Sequence, residues 1–139
     1  MSSRAATSVA SSALSSAPVT QFQYRDVLEG IAARHVRAIL AEGLVHREDI
    51  RRVIPDRTLE RRISANEKLT TTEADGIARL ARTVGQARAT FGDPGIADEW
   101  LRSPNPALDG NIPIEMAATD IGAREVEIVL GRIAHGVYS

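Results

Sequence analysis

The chain has 139 residues, 43% of them hydrophobic and 25% charged, which is enough for one domain or two very small ones sharing a core. Its formal net charge of -1 exerts no global pull on polyanions, so any nucleic-acid surface has to be local. Cysteine is absent, which removes disulfides, thiolate zinc sites and thiol nucleophiles, and no apolar run approaches the roughly 20 residues of a membrane-spanning helix.

Aromatic residues make up only 4% of the chain, and alanine and leucine dominate the apolar set. Small and straight-chain side chains lose little entropy in helices, whereas the aromatic residues that favour strands are thin here. An all-α fold is the expectation. The charge is split unevenly: residues 1–69 hold 11 Lys/Arg against 8 Asp/Glu, and residues 70–139 hold 6 against 10. The two halves are expected to face different partners.

Residues 1–20 are rich in serine and alanine, with Arg4 as their only charged side chain. Such a segment cannot build a core, and its apolar stretch is too interrupted for a secretory leader; a disordered tail on a cytoplasmic protein is expected. Tyr24, Val27, Leu28 and Ile31 then recur at helical spacing, and Val36, Ile39 and Leu40 continue the pattern to Gly43. Arg47 to Ile54 forms a second element, with Glu48 and Asp49 in its first turn and Ile50, Val53 and Ile54 inward, and Pro55 ends it. Asp56 is placed to cap a third helix that turns Leu59 and Ile63 inward and Arg57, Thr58, Arg61 and Arg62 outward.

Thr70 followed by Glu73 is a capping box and marks the sharpest boundary in the chain. A long helix follows, with Ile77, Leu80, Ala81, Val84, Ala87 and Phe91 in one stripe, Arg79, Arg82 and Gln86 on a solvated face, and Gly92 as its stop. Asp93-Pro94 opens a short helix that points Ile96, Ala97, Trp100 and Leu101 to one side. Ser103-Pro104-Asn105-Pro106 forces a turn, Ile112-Pro113 starts another short helix, and Asp120 is placed to cap the last one. There Val126, Val129, Leu130 and Ile133 form the inner face and Gly136 the C-terminal stop.

A helix, a tight break at Pro55 and a second helix presenting Arg57, Thr58, Arg61 and Arg62 is the layout of a helix-turn-helix, in which arginine can reach guanine edges or phosphates. The competing reading is a solvated helix laced with i, i+4 charge pairs. His35, His46 and His135 lack metal-ligand spacing. Asp98 and Glu99 point to different sides of a helix, as poor acid–base partners would, and no nucleophile accompanies them; the sequence does not read as an enzyme, and no cofactor is expected. Trp100 is either a core anchor or a partner hot spot. The corner at Pro104, Asn105 and Pro106 is either structural or a preformed recognition loop.

Taken together, these residues resemble the Xre/MbcA/ParS antitoxin family. The string Arg57-Thr58-Leu59-Glu60-Arg61-Arg62, with Leu69-Thr70 and Arg79-Leu80-Ala81-Arg82, is similar to its Xre-like helix-turn-helix segment. Phe91-Gly92, Ala97, Trp100-Leu101, Pro104-Asn105, Ala107-Leu108, Gly110, Pro113, Thr119, Gly122-Ala123, Val126, Leu130, Arg132-Ile133 and Gly136-Val137 resemble its toxin-binding module in order and spacing. Gly76-Ile77 and Met116-Ala117 depart from the pattern.

The resemblance implies a small helix-turn-helix-like bundle over residues 21–88 and a compact helical toxin-binding module over 89–139, behind the tail of residues 1–20. It implies a type II antitoxin that covers the active site of a RES-domain toxin, an NAD-consuming or ADP-ribosylating enzyme, without binding NAD itself. It further implies a homodimer that represses its own operon. Toxin contact is expected at Trp100, Asn105, Arg132, Gly136, Val137, Tyr138 and Ser139, and operator DNA at Arg57, Thr58, Arg61 and Arg62. The alternative is a stand-alone helix-turn-helix transcription regulator with no toxin partner.

Overall fold

The computed structural model describes residues 31–136. Among them the chain is all-α, with no strand beyond two isolated bridges. In order come α1 (His35–Ala41), α2 (Arg47–Arg51), α3 (Asp56–Ser64), α4 (Thr71–Phe91), α5 (Pro94–Leu101), a single 3-10 turn (Pro106–Leu108), α6 (Pro113–Met116) and α7 (Asp120–Ala134). Tyr24, Val27 and Leu28, which carry most of the first helical pattern, lie outside the described residues.

Ile31 is extended rather than helical. Its carbonyl accepts from the Leu69 amide at 2.8 Å and Ala33 donates to Glu67 at 3.0 Å, so the segment before α1 is clasped to the segment before α4. The Ala32–Lys68 bridge holds the backbone here in a cross-chain pairing rather than in a helical turn, and periodicity along the chain carries no trace of that partner.

α4 is the spine, about 30 Å long at 1.5 Å per residue, and α5 and α7 both pack along it. It starts as its capping box requires: the Thr70 hydroxyl accepts from the Glu73 amide at 3.1 Å while the Glu73 carboxylate accepts from the Thr70 amide at 2.8 Å. Ile77, Leu80, Ala81, Val84 and Ala87 are buried as their spacing predicts. The opposite face is only partly solvated: Arg82 keeps 59% of its side chain exposed, yet Arg79, Arg82 and Gln86 all reach across to α7 or the loop before it. Arg79 donates to the Ala118 carbonyl at 3.0 Å, Arg82 to Glu127 at 2.9 Å and Gln86 to the Glu127 carbonyl at 3.1 Å. The polar face of α4 therefore grips α7 and the loop before it, which satisfies backbone and carboxylate oxygens at that boundary.

Two helix starts also differ from expectation. α7 is capped by Thr119, whose hydroxyl accepts from the Gly122 amide at 3.0 Å, and Asp120 is its first helical residue. α3 has Pro55 at its cap position, and Asp56 makes no cap bond. The Asp56 carboxylate is drawn instead to Arg51 at 2.6 Å and Arg47 at 3.6 Å, and it still favours the positive end of the helix dipole.

One contiguous core runs through all of this. Val36, Ile39, Ile50 and Leu59 from the first three helices and Ile54 from the break between α2 and α3 share it with Leu80, Val84, Leu101, Leu108, Ile114, Val126 and Leu130. Two helical glycines set how closely elements approach. A Cβ at Gly76 would fall 2.5 Å from a Val53 methyl, and one at Gly122 would fall 2.1 Å from the Met116 carbonyl oxygen. No helix among the described residues is long and apolar enough to cross a membrane.

Candidate functional site

The structure distributes the sequence-predicted residues over three surfaces. The first is α3, joined to α2 by the tight break ending at Pro55. Asp56 and Glu60 absorb the arginines of neighbouring helices: Arg47 binds Glu60 at 2.9 Å, Arg51 binds Asp56, and Arg37 approaches Glu60 at 3.5 Å. Arg57 and Arg61 remain exposed, one turn apart on one face, and have no ion-pair partner among the described residues. Thr58 is half-buried. Arg62 departs from the outward placement expected of it. Its side chain is only 18% exposed and lies 3.1 Å from Glu73 and 3.4 Å from Glu67. The arginine is spent on the α3–α4 junction because the Glu73 carboxylate, held there by the capping box, supplies a countercharge.

The second surface is an open groove of about 440 Å³ lined by Phe91, Ile96, Glu99, Trp100, Ser103, Pro104, Asn105 and Pro106. Trp100 is half-buried, with its ring 5.7 Å from that of Phe91 at a tilt of 46°. It packs against Phe91 at the end of α4 and also lines the groove. Ile96 is 54% exposed beside it. Asn105 has a structural duty in the same wall. Its Oδ1 accepts from the Ala107 amide at 2.9 Å, and its backbone closes the 105–111 loop with Asn111 at 3.1 Å. Pro104 and Pro106, which deny the chain a helix here, thus shape one rim of the groove.

The third surface is the outer face of α7. Ile121 is 74% and Ile128 is 55% exposed, and Arg124, Glu125, Arg132 and His135 share that face. Arg124 pairs within the helix with Asp120 at 3.1 Å. Arg132 and Glu125 have no ion-pair partner among the described residues. Gly136 is exposed and adopts a left-handed φ of 69° just after α7. Trp100 and Asn105 therefore share the groove, whereas Arg132 and Gly136 stand outside its lining. Val137, Tyr138 and Ser139 lie outside the described residues.

A fourth feature, without a surface, was not foreseen from the sequence. Arg102, just after α5, donates to both oxygens of Asp49 at 3.1 and 2.8 Å and to Asp98 at 2.9 Å. Asp49 is 2% exposed and also accepts from the His46 amide at 2.9 Å at the start of α2. Burial opposes the charge on Arg102, yet the hydrogen bonds to Asp49 and Asp98 outweigh it and hold the guanidinium pKa above its ordinary value. Asp98 is accordingly no free carboxylate: it orients the arginine that ties α2 to α5. An i, i+4 reading would have found Asp98 with Arg102, but nothing local points to Asp49.

None of these arrangements is catalytic in form. No group of three or more His, Asp or Glu side chains suited to a metal ion exists among the described residues, and each polar cluster is closed on itself by ion pairs. What the surfaces offer is recognition: two free arginines on a short helix, an aromatic groove and an amphipathic helix face left without a partner.

Residues 86–136, from the last turns of α4 to the end of α7, match the Antitoxin Xre/MbcA/ParS C-terminal toxin-binding domain. The chain is 34% identical over 110 residues to the Antitoxin Xre of Pseudomonas putida, covering 79% of this chain and 69% of that one. It is 35% identical over 121 residues to the Antitoxin Xre of Photorhabdus laumondii, covering 76% of this chain and 82% of that one. A Prs ADP-ribosylating antitoxin of Sphingobium is 30% identical over 91 residues, covering 59% of this chain and 57% of that one. By these matches the chain belongs to the Xre/MbcA/ParS family of antitoxins, a non-enzymatic class whose C-terminal helices serve to bind a cognate toxin.

Proposed function

We propose that the chain neutralises a RES-domain toxin, an enzyme that consumes NAD or transfers ADP-ribose from it, by covering that enzyme's active site with the module of residues 89–139. The observation that carries the reading is the match of residues 86–136 to a toxin-binding domain. The name of the Sphingobium relative, which refers to ADP-ribosylation, supports the toxin's class of chemistry. Arg132, Gly136, Val137, Tyr138 and Ser139 meet the toxin, and Trp100 with Asn105 forms a second contact. A cationic and aromatic end of this kind suits a cleft shaped for an anionic dinucleotide.

Residues 21–88 form the DNA-binding half, and the chain acts as a homodimer that represses its own operon. Arg57 and Arg61 support this, because they are the arginines that Asp56 and Glu60 leave unneutralised. Thr58 assists at their flank, and Arg62 holds α3 in place. With phosphate contacts supplied by so few side chains, operator affinity falls steeply with salt but less so than for a strongly basic repressor.

The test is co-expression with a RES-domain toxin encoded beside the chain. The full chain restores growth and co-purifies with the toxin, whereas a chain lacking residues 137–139 retains its helical circular dichroism and loses rescue. Full rescue by the truncated chain would refute the assignment of the toxin contact, and absence of any complex would refute the function.

A further inference from the structure

Arg37 of α1 and Arg47 and Arg51 of α2 converge on two carboxylates of α3. Glu60 holds Arg47 at 2.9 Å and Arg37 at 3.5 Å, and Asp56 holds Arg51 at 2.6 Å with Arg47 at 3.6 Å. Asp56 and Glu60 lie one turn apart, and Arg57 and Arg61 form the neighbouring stripe, so acid and base run side by side along the helix. The side chains of this lattice stay 41% to 66% exposed. That separates them from the pairs that brace the fold: Arg62 and Glu73 are 18% and 13% exposed, and Arg102 and Asp49 are 21% and 3%. The three helices are already joined through Val36, Ile39, Ile50 and Leu59 in the core, and ion pairs as open as these contribute little to stability.

We infer that Asp56 and Glu60 take the place of DNA phosphate within the chain: they hold Arg37, Arg47 and Arg51 off the duplex, leave it to Arg57 and Arg61, and so limit affinity for DNA. The inference rests on the reading of residues 21–88 as the DNA-binding half. A guanidinium makes the same forked bonds to a carboxylate as to a phosphate, so an arginine engaged by Asp56 or Glu60 displaces no counterion from DNA. The limit has a use. Phosphate contacts carry no sequence information, and releasing these arginines strengthens binding to arbitrary DNA as much as to the operator. The two carboxylates therefore keep non-specific occupancy low without touching whatever reads the bases.

Fluorescence anisotropy with the full chain tests this on two labelled duplexes, one covering the promoter of its own operon and one of the same composition in scrambled order. Glu60→Gln releases Arg37 and Arg47, tightens binding to both duplexes about tenfold at about 0.1 M salt, and steepens the salt dependence by about 0.9 for each new phosphate contact. Asp56→Asn releases Arg51 and acts in the same direction, so the test does not hang on one variant folding; circular dichroism of both matches the parent. Added positive charge alone is controlled by Asp109→Asn. Asp109 is exposed in the 105–111 loop, at a left-handed φ of 56° that asparagine also adopts. Arg37→Ala with Arg47→Ala costs more affinity in the Glu60→Gln chain than in the parent, because only there do these arginines meet DNA.

Unchanged affinity and salt slope in Glu60→Gln and Asp56→Asn overturn the inference. So does a gain no larger than that of Asp109→Asn, an equal cost of the two arginines in both backgrounds, or a gain confined to the promoter duplex, which would place the released arginines on bases. A parent chain that binds both duplexes equally refutes repression of its own operon and leaves the inference standing. A parent that binds neither, with Glu60→Gln equally inert, refutes the DNA-binding reading and the inference together.

Discussion

Arg102 and Asp49, 53 residues apart in the chain, meet through a two-pronged ion pair at 3.1 and 2.8 Å that joins the start of α2 to the end of α5. The carboxylate is 2% exposed, so its charge has no recourse to water. The pair links the half bearing Arg57 and Arg61 to the half bearing the groove, and it makes the relative seating of α2 and α5 depend on one side chain.

Replacing Arg102 with Met strands a buried carboxylate, a loss of about 3 kcal/mol or more. Arg102→Lys keeps the charge but not the fork and costs less, about 1–2 kcal/mol. Urea denaturation of the two variants checks the order. A Lys variant as stable as the parent would mean that the second hydrogen bond to Asp49 contributes nothing, and equal losses would mean that charge without the fork does not satisfy Asp49.

Gly122 and Gly76 separate a rigid obstacle from a yielding one. Gly122→Ala drives a methyl into the Met116 carbonyl oxygen, which cannot move without unpicking the turn that holds Thr119, and destabilises by about 2–4 kcal/mol. Gly76→Ala meets only the Val53 side chain. Its cost is about 1 kcal/mol after the gain in helix propensity, and Val53→Ala in the same chain relieves it. Thermal melts of the single and double variants show the relief as non-additivity.

The arginines of α3 divide by role. Arg57→Ala together with Arg61→Ala leaves the melting temperature within error and weakens operator binding about tenfold or more, with a shallower dependence on salt. Arg62→Ala lowers stability by about 1–2 kcal/mol, because it strips Glu73 of a partly buried charged hydrogen bond. A loss of operator affinity from Arg62→Ala at unchanged stability would reverse this division.

Burial first, and the charge of Arg34 second, hold the His35 imidazole below its ordinary value of 6.5. Its Nδ1 is buried with no hydrogen-bond partner. The unfolded chain therefore takes up the proton before the folded one does. The stabilisation from the neutral ring is fully present above pH 6.5 and is lost as the pH falls below that value through the folded pKa. His35→Gln removes this component, seen as a flatter pH dependence of the urea midpoint on the acid side of 6.5; an unchanged slope would assign the effect to other groups.

What the sequence determines by itself is local. The Thr70–Glu73 capping box, the Asp93 cap before Pro94, the buried stripe of α4 and the inner face of α7 were all legible, because each rests on side chains within a turn or two of one another. The all-α character followed from composition for the same reason. The corner at Pro104, Asn105 and Pro106 was legible as a break after α5, whereas its meeting with Trp100 in one groove was not. Tertiary structure decided whatever required a partner far along the chain. It turned Arg62 inward to Glu73, drew Asp56 away from capping, pulled Ile31 out of a helix and onto Leu69, and tied the polar face of α4 to α7. Above all it brought Arg102 to Asp49. A charge announces in sequence only that it needs a countercharge or solvent; which of these it receives depends on how helices pack, and that packing is set by the apolar faces on their other sides.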